Sequence, residues 1–239
     1  DETRYPLKLR DLIVTDFGTE SAPLNMAWSN APENRFVDVP CLGLSGDYLY
    51  RPSITGTEIG KFDNGIMAID PAGLGRDMMG MCVTRLMGGH IFVSYIGGLF
   101  GGYGENNLKK ICAIAQKHGV RTLVPEPNFG DGMFTRLLIS AVTKYYPGCA
   151  VVEPPRSGGQ KECRIIDTLE PVLNAHRVVV SAQALIDEMR PLHGISKDRE
   201  NPYRFQNQLT RITRQAKALA HDDLVDVFSM GVEYCIPHM

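Results

Sequence analysis

Two short apolar runs set the register of this chain. Ile66-Met67-Ala68-Ile69-Asp70 is apolar up to a terminal carboxylate, and Pro71-Ala72-Gly73-Leu74-Gly75 follows with residues that end a strand. Thr122-Leu123-Val124-Pro125-Glu126 repeats the arrangement, with Pro127-Asn128-Phe129-Gly130-Asp131-Gly132 behind it. Unbroken apolarity bounded by Pro and Gly predicts buried parallel strands, each delivering an acid to its C-terminal edge. Between the two runs, Met78 to Leu86 and Ile91 to Ile96 predict strands joined by the turn Met87-Gly88-Gly89-His90, a hairpin signal. The glycine-rich stretch Gly97 to Gly104 then reads as a loop, and Asn106 to His118 as a helix with Leu108, Ile111, Cys112, Ile114 and Ala115 near helical spacing.

Beyond the second acid the pattern predicts a helix over Met133 to Tyr146, a strand over Cys149 to Glu153, and a polar flexible loop from Arg156 to Glu162. Helical spacing resumes over Arg164 to Ala175, Ala182 to Met189, Phe205 to Leu219 and Asp222 to Tyr234, with a short extended run at Arg177 to Val180 and a polar, mobile stretch at His193 to Tyr203. Residues 1–64 are punctuated by proline and lack a sustained period, so they read as a connector or wrapping arm that packs on a main domain over 65–239.

Strand, hairpin, helix, strand, helix, strand and further helices is the element order of a ribonuclease H-like α/β domain, with a mixed sheet in strand order 3-2-1-4-5. Its first three strands form an antiparallel meander and the fourth crosses over to lie parallel beside the first. That crossover matters for chemistry, because Asp70 and Glu126 then emerge side by side where α/β sheets place ligands. A third acidic cluster, His221-Asp222-Asp223-Leu224-Val225-Asp226, opens the last apolar helix, whose N-terminal dipole suits carboxylates. Asp223 and Asp226 share a helix face, while Asp222 points about 100° away from Asp223 and serves either as a cap or as a second metal contact.

A lone acid after a strand is more often a turn former or a helix cap than a ligand. Three gathered at one edge repel one another unless a cation or a proton offsets them. We therefore expect Asp70, Glu126 and Asp223 to meet in one site and bind a divalent metal, with Asp222 and Asp226 as further ligands; oxygen donors of this kind suit hard cations.

Composition narrows the alternatives. At 239 residues the chain is long enough for one large α/β domain or a domain plus an appendage. No apolar run approaches the ~20 residues of a membrane span, and no signal-peptide pattern opens the chain, so the expectation is a cytosolic protein. The chain starts at Asp1, which reads as a processed chain or an excised domain. Six cysteines are scattered without metal-ligand spacing and read as free thiols in a reducing compartment. The formal net charge of −2 neither suggests nor excludes nucleic acid, since metal neutralises clustered acids. No GxxxxGK[ST] occurs, so an ATPase motor is not expected within these residues.

Met67 to Asp77, Glu126 to Met133, Gln160 to Pro171 and Ala220 to Asp226 together resemble, in order, the motifs of the nuclease domain of tailed-phage terminase large subunits, with the podovirus DNA-packaging (DNA maturase B) branch the nearest in look. The resemblance covers residues 65 to the C-terminus, and 1–64 resemble, more weakly, that branch's connector from the ATPase domain; Met78 stands where the pattern leads us to expect an acid. It implies an endonuclease that cuts concatemeric, end-to-end viral DNA into genome lengths, with an acidic triad on Asp70, Glu126 and the Asp222/Asp223 pair. The chemistry expected is phosphodiester hydrolysis with two Mg²⁺ or Mn²⁺ ions, Asp70 bridging them, Glu126 on one side, and Asp223 with Asp222 or Asp226 on the other. Arg156, Lys161 and Arg164 are expected to track the DNA backbone from a loop that closes over the duplex, with Lys197, Arg199 and Arg204 as a second basic group. His221 is read as structural first and as an orienter of a carboxylate or water second. Double-stranded DNA, the portal protein, the small terminase subunit and the ATPase domain of the full-length protein are the implied partners, with no membrane, in the host cytoplasm at the prohead. A Holliday-junction resolvase or transposase-like nuclease, and a non-enzymatic portal-docking module, remain as alternatives.

Overall fold

Every residue of Ile66–Asp70 is buried, and this strand lies in the interior of a seven-stranded sheet. The computed structural model describes residues 3–72, 77–127, 129–155 and 158–239. In chain order its strands are β1 (Ile13–Thr15), β2 (Ser21–Pro23), β3 (Met26–Ala27), β4 (Ile54–Thr55), β5 (Ile59–Lys61), β6 (Ile66–Asp70), β7 (Met79–Met87), β8 (His90–Leu99), β9 (Thr122–Pro125), β10 (Ala150–Val151) and β11 (Val178–Ser181). Its α-helices are α1 (Glu105–Lys117), α2 (Met133–Tyr145), α3 (Lys161–Asn174), α4 (Ala182–Glu188), α5 (Phe205–Arg211) and α6 (Asp223–Cys235).

The sheet runs β1-β11-β8-β7-β6-β9-β10. Its stretch β8-β7-β6-β9-β10 is the expected 3-2-1-4-5 order, with β6 antiparallel to β7 and parallel to β9. Gly88 and Gly89 turn the β7–β8 hairpin at φ 60° and 75°, the paired positive values that a two-residue type I′ turn requires. Two additions were not in the sequence expectation. β11 pairs parallel to β8, and β1, from the arm, pairs parallel to β11. β8 also runs on through Gly97 and Gly98 to Leu99 rather than ending at Ile96, and Gly98 lies so close to buried Met78 that a Cβ there would collide with it.

Strand alternation divides the core into two layers. Ile66, Ala68, Cys82 and Val124 face α3, α5 and α6, while Met67, Ile69, Met81, Val83 and Leu123 face α1 and α2. The arm shares this core: Leu7, Leu9, Leu12, Val14, Phe36, Val39 and Leu49 belong to the cluster that holds α3, α5 and α6. All six cysteines are free; Cys82, Cys112 and Cys235 are buried and Cys41 is exposed.

Two helices differ from expectation. α3 begins at Lys161, so Lys161 and Glu162 form a first helical turn rather than a flexible loop. α5 stops at Arg211 instead of running to Leu219: Ile212 turns extended (φ −65°, ψ 138°) and is buried. The backbone beyond it is held from α3, with Gln160 donating to the Arg214 carbonyl at 2.9 Å and Glu162 accepting from the Lys217 N–H. Among the described residues, no helix is long and apolar enough to cross a membrane.

Candidate metal centre

The period of two places the first acids on the same side of the sheet. Asp70 has the parity of Ala68 and Glu126 that of Val124, so both emerge on the α3 and α6 side. Glu126 N–H donates to the Ile69 carbonyl at 2.9 Å, which extends the parallel β6–β9 ladder and sets Glu126 beside the end of β6. The third acidic group arrives because α6 lies close on β7. Gly80 pairs with Asp70 across the sheet, and a Cβ there would strike the Asp223 carbonyl. At the far end of the helix, a Cβ at Gly231 would stand 2.6 Å from Thr84 Cγ2, and the Thr84 hydroxyl donates to the Gly231 carbonyl at 3.1 Å.

The result is a trio, Asp70, Asp222 and Asp223, each offering an oxygen within 4.8 Å of the others. Asp226, one turn further along α6, is buried and faces Lys161 and Arg164. Lys161 Nζ lies 2.9 Å from Asp226 Oδ2, 3.1 Å from Asp222 Oδ1 and 3.8 Å from Asp70 Oδ2. Arg164 Nη2 lies 3.6 Å from Asp226 Oδ1. Lys161 opens α3 and points into the carboxylates because its helix starts earlier than the sequence spacing suggests, and Arg164 lies one turn further along the same helix. Arg156 lies outside the described residues. Of the second basic group, Arg204 is 1% exposed, donates to the Arg190 carbonyl at 2.9 Å and pairs with Glu200 at 2.7 Å, so it is a structural residue with no reach to a ligand.

Burial is the main influence on the acids. It pushes the Asp70 carboxyl well above the usual range; Asp226, Glu126 and Asp223 push the same way, and Lys161 opposes them. Asp223 is raised to about 6 by burial and then by Asp222. Asp226 is raised by burial against the pull of Lys161. For Lys161 burial works against the charge, but Asp226, Asp70 and Asp222 outweigh it and hold the ammonium protonated. These are like charges crowded in low dielectric, the situation that a divalent cation relieves. Asp223 Oδ2 is buried with no hydrogen-bond partner.

The start of α6 is built in a way that the sequence did not announce. Asp222 occupies the N-cap position but makes no capping bond. Instead, Gln208 Oε1 accepts from the N–H groups of Leu224 at 2.9 Å and Val225 at 3.1 Å. His221 stacks on Tyr203, ring centroids 3.9 Å apart at 23°, which ties the start of the acidic segment to the preceding loop.

Three comparisons bear on this arrangement. The family model "Terminase Bacteriophage T7, Ribonuclease H-like domain" matches residues 69–178. The chain is 36% identical over 234 residues to the terminase large subunit of Enterobacteria phage T3, a match that covers 98% of this chain. It spans 40% of that relative's length. The large terminase nuclease of thermophilic phage G20c superposes with a TM-score of 0.50 at 13% identity, over 94% of this chain and 95% of that one, a likeness of fold.

Proposed function

We propose, from the premise that this chain carries the ribonuclease H-like domain of the terminase large-subunit family, that it is a divalent-metal-dependent endonuclease acting on double-stranded DNA. The observation that carries the proposal is the convergence of Asp70, Asp222 and Asp223 oxygens within 4.8 Å at the sheet edge, next to Glu126. A set made only of carboxylate oxygens, one of them buried without a hydrogen-bond partner, fits a hard cation. Asp70, Glu126 and Asp223 are the residues we assign to catalysis, with Asp222 and Asp226 as further ligands.

Two Mg²⁺ or Mn²⁺ ions, when bound, supply Lewis acidity at the phosphate and lower the pKa of water. The chain's own residues prepare that site. Asp70, on the fully buried strand β6, is the point about which the other acids are arranged. Asp223, raised to about 6, would be held as the carboxylate by a bound cation. Lys161 balances the carboxylates from the side, and Glu126, less buried than Asp70, faces the approach of water. Arg156 and Arg164 are the cations we assign to the DNA backbone, where each neutralised phosphate makes binding more salt-dependent.

The wider reading rests on family resemblance. Residues 1–64 connect to an ATPase domain of a longer protein and 65–239 do the cutting. The substrate is concatemeric viral DNA, the partners are the portal and the small terminase subunit, and the place is the prohead in the host cytoplasm. The deciding experiment is cleavage of supercoiled plasmid with Mg²⁺, Mn²⁺ or EDTA, beside Asp70→Ala and Asp223→Ala. Metal-dependent nicking and linearisation, lost in both variants, is the expected result. Cutting that survives Asp70→Ala would sink the assignment.

A further inference from the structure

Gln208 is fully buried, hydrogen-bonds to none of the carboxylates, and holds the helix that carries three of them. The N–H groups of Leu224 and Val225, the second and third residues of α6, have no partner within the helix. Such groups are ordinarily met by the side chain of the N-cap residue. Here that residue is Asp222, among the strongest capping types, yet its carboxylate makes no capping bond. It is 3.1 Å from Lys161 and within the trio with Asp70 and Asp223. Gln208 takes both N–H groups through one oxygen and donates its Nε2–H to the Pro202 carbonyl at 3.2 Å, so its amide is satisfied on both ends.

We propose that Gln208 is a positioning residue of the metal centre: it supplies from α5 the acceptor that α6 would otherwise draw from Asp222, and so keeps the Asp222 carboxylate turned toward Asp70 and Asp223 for a cation. This rests on the metal reading of the site given above. A neutral amide suits the task, since a carboxylate at the same place would add one more negative charge to a crowded cluster. α5 is well fixed to perform it. Gln206, also fully buried, accepts from the Leu42 N–H at 2.9 Å and donates to the Pro40 carbonyl at 3.1 Å, and Arg211 donates to the Leu42 carbonyl at 2.7 Å. The acceptor at the start of α6 is thus held from the arm.

The test uses the full chain with Gln208→Met, which fills the space without a strong acceptor, Gln208→Asn, whose shorter amide does not reach both N–H groups, Asp222→Ala, and the Gln208→Met/Asp222→Ala double variant. Mn²⁺ affinity is read by calorimetry, and amide exchange at Leu224 and Val225 by NMR in EDTA. Gln208→Met is expected to bind Mn²⁺ about tenfold more weakly, the usual cost of losing a residue that orients a ligand. Asp222→Ala costs less affinity in that background than in the wild type, because the Asp222 carboxylate has already been drawn to the helix start. The two amides stay protected in Gln208→Met and lose protection in the double variant. An affinity of Gln208→Met within twofold of wild type, or an equal cost of Asp222→Ala in both backgrounds, overturns the inference. Should Gln208→Met fail to fold, Gln208→Asn is read in its place by the same two criteria. Wild-type protein that takes up no Mn²⁺ would overturn the metal reading alone, and the exchange data, collected without metal, would still decide whether Asp222 replaces Gln208 at the helix start.

Discussion

Lys161 Nζ stands 2.9 Å from Asp226 Oδ2, at the point where the carboxylates of the sheet and of α6 converge. One ammonium lies within 4 Å of three carboxylates, and its side chain is 32% exposed, so water shares the screening. Lys161→Met should therefore lower the thermal midpoint in EDTA by roughly 5 °C, less than the loss of a fully buried pair would cost. Mn²⁺ should raise the midpoint more in the variant than in the wild type, since the cation then takes over the whole of the charge balance. Equal melting of variant and wild type in EDTA would remove Lys161 from that role.

A pH dependence follows from Asp223. Its carboxyl titrates near 6 in the folded chain against 3.8 when free, so the folded state binds a proton that the unfolded state has released. This contribution to stability is present below about pH 4 and is lost as pH rises through about 6. A divalent ion competes for the same oxygen. Mn²⁺ affinity should climb between about pH 5 and 6 and level off above it, with proton release on binding largest at the acid end. Calorimetric titrations in buffers of different ionisation enthalpy measure both quantities, and a flat affinity over that range would contradict the assignment.

How much of this was legible beforehand depended on how local each signal was. Asp70 and Glu126 could be read from the sequence because strand parity and a parallel crossover are enough to bring them together. Lys161 could not be read in the same way, because its role turns on α3 starting at Lys161 and pointing back at α6, a tertiary contact with no periodic signature. Gln208 was missed for a similar reason: a polar residue in a helical pattern looks solvent-facing until the partner helix is placed over it. β1 and β11 were visible as short extended runs, but nothing local says which edge a short strand will join. The misplaced end of α5 arose where Leu209 and Ile212 continue a helical spacing although the backbone has already left it to bury Ile212.

Two glycines of α6's contact with β7 separate stability from metal binding. Gly80→Ala places a Cβ against the Asp223 backbone, which cannot move aside as a flexible side chain would, and so pushes the start of α6 away from Asp70. It should cost roughly 1–3 kcal/mol of stability and weaken Mn²⁺ binding as well. Gly231→Ala meets Thr84 at the other end of the helix, away from the acids. A similar loss of stability with Mn²⁺ affinity close to wild type is expected there. Denaturant titration and Mn²⁺ calorimetry on the two variants make the comparison; equal losses of affinity would mean that helix placement, not the Asp223 end in particular, governs the site.

Glu188 provides a second pH dependence, remote from the metal ligands. Its carboxyl is buried at the end of α4, accepts from the Phe205 N–H at 3.2 Å and lies 3.9 Å from Arg204, and burial raises it from 4.5 to about 7 despite those two partners. Protonation of the folded chain thus stabilises it below about pH 4.5, and that contribution disappears as pH rises through about 7. The direction matches that of Asp223, but the window extends higher and no cation relieves it. Glu188→Gln keeps the acceptor for Phe205 and removes the titration. The variant should then be more stable than wild type above about pH 7, by about 2–3 kcal/mol, and nearly equal to it at about pH 4.5. Arg204 sets the limit on that gain, because it loses an ion-pair partner at 3.9 Å while keeping Glu200 at 2.7 Å. Urea titrations of both proteins in EDTA across that range test the difference. A variant less stable than wild type at high pH would mean that the Arg204 pairing outweighs the burial of the Glu188 charge.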